Sequence, residues 1–203
     1  MKAGMLKWIF YLAGIGILSF GIALTITSDL GVTPFDATLV GLTQSVGLTV
    51  GSWEIILAFV LIFFNALLGR QRPHFAGLAT AFVTGVGIDG WLYALHQLEL
   101  SATAVRGAGF ALGLLCIGLG TAMYLHTRVA PIPVDGLMLV MRQRTRMTIG
   151  MARTLIYFVF LLFALLLGGP IGLGTVLSVC LGGVILAYMA KYIERLARAG
   201  TPV

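Results

Sequence analysis

Six segments of this chain are apolar over the length needed to cross a bilayer, approximately Trp8–Thr27, Ser52–Gly69, Phe75–Leu98, Val105–Leu125, Met151–Gly168 and Leu173–Tyr192. About 20 consecutive apolar residues match the hydrocarbon core of a membrane, and inside it each such segment must satisfy its own backbone as a helix. The composition agrees. Of 203 residues 59% are hydrophobic and 10% charged, where a soluble protein carries about a quarter charged residues. Breaks fall between the segments: Arg70-Gln71-Arg72-Pro73 ends the second, Glu99 to Thr103 separates the third from the fourth, and Gly168-Gly169-Pro170 precedes the sixth. The run after Lys7 exceeds a signal-peptide core of ~7–15 residues and reads as a retained first helix.

A second constraint is that the chain repeats itself. Leu30 to Gly51, LGVTPFDATLVGLTQSVGLTVG, returns 99 positions later as Val129 to Gly150, VAPIPVDGLMLVMRQRTRMTIG. Pro34 falls on Pro133, Asp36 on Asp135, Gln44 on Gln143, Thr49 on Thr148 and Gly51 on Gly150. The register extends upstream through Gly14, Gly21 and Ala23 and downstream through Phe64, Leu67, Leu68 and Gly69. Apolar composition alone would align Leu with Leu, but not Pro, Asp, Thr and Gly together. The expected organisation is one membrane domain over 1–203, with repeat 1 at about 8–98 and repeat 2 at about 105–192.

Two segments remain, Thr33–Val46 and Ile132–Thr145. Each begins its helix with Pro, which suits the first helical position, but spans only ~20 Å, too short to cross comfortably. Their leading ends are apolar and their trailing ends polar (Thr43, Gln44, Ser45; Arg142, Gln143, Arg144). This pattern fits a re-entrant helix, while a flat interfacial helix is the other reading. If neither crosses, and the termini are cytoplasmic, twelve of the thirteen Lys and Arg lie inside and only Arg106 outside. Three spans per repeat then insert the second copy upside down. The expected fold is all-α integral membrane, with six transmembrane helices as 3+3 inverted repeats, each carrying a short re-entrant or interfacial helix.

Candidate functional residues follow from this geometry. Asp36 and Asp135 each stand two residues after the paired prolines, Pro34 and Pro133. One reading is helix capping, with Thr33 and Asp36 in capping-box form; the other is a pair of carboxylates presented to a proton or cation near the midplane. Ile132 replaces Thr33 in the second copy, which leaves Asp135 without a hydroxyl cap. Asp89, the lone charge between Gly77 and Tyr93, shares a four-residue ridge with Gly77, Ala81 and Gly85 and is a candidate ion carrier. Thr49 and Thr148 complete the hypothesised substrate or ion site. Glu54 and Arg153 occupy equivalent positions and read either as interfacial anchors or as gates at opposite mouths of one pathway. Gly109-x-x-x-Gly113 and Gly174-x-x-x-Ser178-x-x-x-Gly182 read as packing seams, within the chain or across a homodimer.

Other classes gain nothing from the sequence. Cys116 and Cys180 sit alone in separate apolar segments, and no metal, cofactor, phosphate-loop or hydrolase motif accompanies the three histidines. The net charge of +6 follows the membrane topology, so nucleic acid is not an expected partner. The bilayer is the expected partner, with a small molecule or ion as substrate.

Several of these motifs carry a resemblance. Leu30-Gly31-Val32-Thr33-Pro34-Phe35-Asp36, Gly47-Leu48-Thr49-Val50-Gly51-Ser52-Trp53, Pro133-Val134-Asp135-Gly136-Leu137-Met138, Gly150-Met151-Ala152-Arg153-Thr154 and Gly168-Gly169-Pro170-Ile171-Gly172-Leu173-Gly174-Thr175 resemble the YczE-like (YczE/YitT-type) family of bacterial multi-pass membrane proteins. Phe35 stands where Trp is expected, and Arg128-Val129-Ala130-Pro131 replaces a more Gly/Ala-rich approach. The resemblance implies the bacterial cytoplasmic (inner) membrane and no particular reaction. Two functions remain in view. One is a small secondary transporter or permease with a midplane site. The other is a non-transporting accessory protein that supports a partner enzyme or pathway through the Arg142–Arg146 cluster. No enzymatic activity is expected.

Overall fold

The computed structural model describes residues 2–97 and 102–200, with side chains placed for 4–97 and 102–196. The expected end of the third span at Leu98 and the break at Glu99 lie outside the described residues. Eight helices follow in order: α1 (Lys2–Ser28), α2 (Pro34–Val46), α3 (Val50–Gly69), α4 (Ala76–Leu95), α5 (Thr103–His126), α6 (Pro133–Thr145), α7 (Ile149–Leu166) and α8 (Leu173–Gly200). Six of them are long and apolar enough to cross a membrane, and α2 and α6 are not among the six. Among the described residues there is no strand.

The helix limits follow local chemistry. Pro opens α2 and α6 at the position where a missing N–H costs nothing. Thr49 and Thr148 cap α3 and α7, accepting from Ser52 N at 3.1 Å and Met151 N at 3.2 Å. After α1 and α5 the chain turns through a left-handed residue, Asp29 (φ 51°) and Arg128 (φ 53°), and these two positions are again 99 apart. Gly31 (φ 94°) sits so close to Gly172 that a Cβ would lie 2.5 Å from its backbone nitrogen, so only glycine fits there.

Helices α1 and α5 form the centre. A Cβ on Gly21 would lie 2.7 Å from Gly113 O, and one on Gly14 would lie 3.0 Å from Gly120 O. The early glycine of each helix meets the late glycine of the other, so the two run antiparallel with their backbones in contact. Small residues permit this approach, and dispersion between close backbones holds helices together where no hydrophobic effect separates them from lipid. Helices α4 and α8 flank this pair, and α3 and α7 pack outside them through Gly51 on Gly85 and Gly150 on Gly183.

The two short helices are exchanged between the halves. Helix α2 packs on α7: Thr38 Oγ1 donates to Phe160 O at 3.0 Å, and Phe35 meets Phe160 edge to face at 4.9 Å. Helix α6 packs on α3, where Asn65 Nδ2 donates to Pro133 O at 2.7 Å. The first eight residues of α2 are buried, and Gln44 and Ser45 near its end are exposed. Helix α6 repeats the trend, with Leu137, Met138 and Val140 buried and Arg142 to Arg146 exposed.

An apolar belt surrounds the bundle. On α3 it consists of Phe59, Val60, Phe63, Phe64 and Leu67, and on α7 of the equivalent Phe158, Val159, Leu162, Phe163 and Leu166, all exposed. Large side chains in such number on the outside of a well-packed chain are the surface of a protein solvated by lipid.

Candidate functional site

The buried charged residues Asp36, Glu54 and Arg153, with the buried Thr33, Thr84 and Thr121, collect around one small cavity. Its volume is about 50 Å³, room for a few waters or one small ion. The lining comes largely in equivalent pairs from the two halves: Leu18 with Ile117, Ile22 with Thr121, Thr33 with Ile132, Phe35 with Val134, Asp36 with Asp135, and Glu54 with Arg153. Thr84, Met138, Ile156 and Tyr157 complete it. A chamber walled by matched positions lies where the halves meet.

Asp36 is 3% exposed and Glu54 3%, while Arg153 is 7% exposed, so these charges are withdrawn from lipid and water alike. Thr33 serves Asp36 twice. Its Oγ1 accepts from Asp36 N at 3.3 Å and donates to Asp36 Oδ2 at 2.5 Å. The cap and the chamber carboxylate are therefore the same group, and the two readings of Asp36 coexist. Asp135 lacks that hydroxyl because Ile132 replaces it; Tyr124 Oη from α5 donates to Asp135 Oδ2 instead. Arg153 donates Nε to Tyr157 Oη at 2.9 Å, with its guanidinium 5.2 Å from the centre of that ring. Its Nη1 is buried without a partner among the described residues.

Three carboxyl groups and one guanidinium thus line one small volume. If all were ionised, two negative charges would stand uncompensated in a low dielectric, at a cost of several kcal/mol per ion on the order given by burial of unpaired charge. Charge balance there would call for two added protons or a cation.

The other sequence candidates lie elsewhere. Asp89, at the far end of α4, caps α3: Gly51 N donates to Oδ1 at 2.9 Å and Thr49 Oγ1 to Oδ2 at 2.6 Å. It does not line the chamber. Its ridge serves close packing, with Gly85 against Gly51 and Gly77 against Pro131. Thr49 and Thr148 are N-caps outside the chamber, and Pro34 and Pro133 open the helices that aim the two aspartates. Glu54 and Arg153 do not sit at opposite mouths; both turn inward to the same cavity. Tyr157 lines the chamber and Tyr124 bonds its Asp135, and sequence reading missed both. Tyr157 was accessible in principle, four residues after Arg153 on one helix face. Tyr124 reaches Asp135 from another helix, and no local spacing signals that.

Six membrane-crossing helices around a buried polar chamber define a multi-pass integral membrane protein. The chain belongs to the family described as "Family of unknown function (DUF6198)", whose profile matches residues 5–191. It is similar to the uncharacterized protein YyaS of Bacillus subtilis, 48% identical over 191 residues, 94% of this chain and 95% of that one. It is also similar to the uncharacterized membrane protein YczE of the same organism, 36% identical over 185 residues, 91% of this chain and 85% of that one. An uncharacterized protein of Haemophilus influenzae is 30% identical over 187 residues, 91% of this chain and 84% of that one. These relatives agree with the resemblance drawn from the sequence motifs. No solved structure matches the chain.

Proposed function

We propose that this protein is a small secondary transporter, in which two copies of one unit sit in the membrane in opposite directions and the chamber between them is the substrate or coupling-ion site. The observation that carries this reading is the paired lining: both Pro-x-Asp helix starts, from equivalent positions, reach a single cavity. Sites near the midplane at the interface of inverted repeats, built on interrupted helices, are the arrangement of secondary transporters. The antiparallel contact of the equivalent helices α1 and α5 supports the inversion. Buried leading ends and exposed trailing ends of α2 and α6 support re-entry from the two sides. The excess of Lys and Arg on one side of the expected topology supports a cytoplasmic orientation of that side, with both termini, in a bacterial inner membrane.

In this reading protons or cations neutralise the carboxyls of the chamber. Helix α6 separates the chamber, on its Ile132–Asp135–Met138 side, from a larger cavity on its Gly136–Val140–Gln143 side. Movement of α6 against α3 would join the two. Proteoliposomes carrying a pH-sensitive dye, challenged with gradients of small cations and anions, test the assignment. Asp36→Asn with Asp135→Asn should abolish any flux found, and an unchanged flux removes the site. The exposed Arg142, Arg144 and Arg146 support a second reading, an accessory protein that docks a partner on that face. Charge reversal there would then abolish the cellular phenotype while the aspartate changes would not.

A further inference from the structure

A second cavity opens on the basic face, about 340 Å³, bounded by the end of α3, the start of α4, the α5–α6 connection and the outer side of α6. Its charged lining is Arg72 and Arg128, with His74 beside them and no carboxylate. At its wall Asn65 uses Nδ2 to donate to Pro133 O, and its buried Oδ1 has no partner among the described residues. A ligand hydroxyl would satisfy that acceptor.

The second observation comes from the opposite end of the molecule. Asp29, which ends α1 in the left-handed conformation, is ion-paired with Arg106 Nη2 at 2.6 Å, and Arg106 Nε also donates to Ser28 O at 2.8 Å. Arg128 ends α5 in the same conformation, 99 positions on, and the residue equivalent to Arg106 is Lys7. The antiparallel glycine contacts of α1 and α5 set a register that brings Lys7 alongside the end of α5, as it brings Arg106 alongside the end of α1. The positions that pair opposite charges at one end thus carry two cations at the other, of which Arg128 lines the cavity and Lys7 does not. Among the described residues Arg128 makes no ion pair, and a bound anion would supply the missing charge.

We propose that this basic cavity binds a small hydroxylated oxyanion of the phosphate-ester class, with Arg128 and Arg72 as its principal ligands. The planar guanidinium fork matches phosphate oxygens in pairs. The volume lies within the range of small-molecule sites, roughly 300–1,000 Å³. The same chemistry comes from a soluble phosphate ester or from the headgroup of an anionic phospholipid. Binding in this cavity is read without any flux through the chamber.

The test uses the full chain in phosphatidylcholine nanodiscs, titrated with glycerol phosphate and followed by calorimetry and thermal unfolding. Saturable, salt-sensitive stabilisation is expected, with Arg72→Gln and Arg128→Gln each weakening it roughly ten- to a hundredfold. Arg128→Asp, which installs the charge found at Asp29, should abolish the response while the ligand-free chain stays at least as thermally stable, so that lost binding is separated from lost folding. If glycerol phosphate has no effect but phosphatidylglycerol discs stabilise the chain, and the same substitutions remove that gain, the source is lipid. Absence of both effects, or binding indifferent to the arginine substitutions, overturns the proposal.

Discussion

Arg153→Gln tests the electrostatic account of the chamber. The substitution deletes the only positive charge in the lining and leaves Asp36, Asp135 and Glu54 facing one another. It also removes the Nε donor to Tyr157 Oη, a bond of 2.9 Å, and the guanidinium–ring contact at 5.2 Å. Separately, a hydrogen bond to a charged group is worth about 1.5–3 kcal/mol and a cation over an aromatic face about 0.5–2 kcal/mol. Among the described residues no carboxylate lies within ion-pair distance of Arg153, so these two contacts carry the loss. The expected loss of stability is therefore about 2–5 kcal/mol. The electrostatic origin makes a further demand. Neutralising a carboxylate should hurt less once the arginine has gone, so Asp135→Asn on the Arg153→Gln background should show a favourable coupling of about 1–3 kcal/mol. Reversible unfolding in mixed micelles with dodecyl sulfate, followed by the fluorescence of the three tryptophans, measures both numbers. A loss under about 1 kcal/mol, or additivity within about 0.5 kcal/mol, would refute the argument that these four groups share one field.

Three further outcomes are expected. Gly21→Val places a side chain where even a Cβ lies 2.7 Å from Gly113 O, and should cost about 1–3 kcal/mol in the same unfolding assay, whereas Gly16→Ala, which enters open space, should cost nothing. Asp89→Asn weakens the cap on α3, with a loss of about 1–2 kcal/mol, and should leave any flux intact; a flux that vanishes without loss of fold would return Asp89 to the pathway. Single cysteines at the equivalent exposed positions Gln44 and Gln143, in a chain lacking Cys116 and Cys180, should react with a membrane-impermeant reagent from opposite sides of sealed vesicles. Labelling from one common side would remove the inverted arrangement.

The chain alone determined the number of spans, the two short helices and their Pro starts, and the duplication at a spacing of 99. These are local facts: the length of an apolar run against the bilayer, a missing N–H at Pro, a hydroxyl at a helix start. Most helix limits accordingly fall within a few residues of their expected places, α6 starting at Pro133 and ending at Thr145 as read, whereas α1 starts at Lys2 rather than Trp8 and α8 runs on to Gly200 rather than Tyr192. Which way each helix faces was not legible. In lipid both the protein-facing and the bilayer-facing sides of a helix are apolar, so α1 or α4 carries no stripe to show its rotation. Hence Glu54 and Arg153 could be read as anchors reaching headgroups, and Asp89 as the embedded charge, until packing fixed the rotations. Glycine contacts between α1 and α5 and between α3 and α4 turned Glu54 inward and left Asp89 beside the first turn of α3. The hydroxyl that Ile132 cannot give Asp135 comes from Tyr124, on a different helix, and only the tertiary structure could supply that pairing.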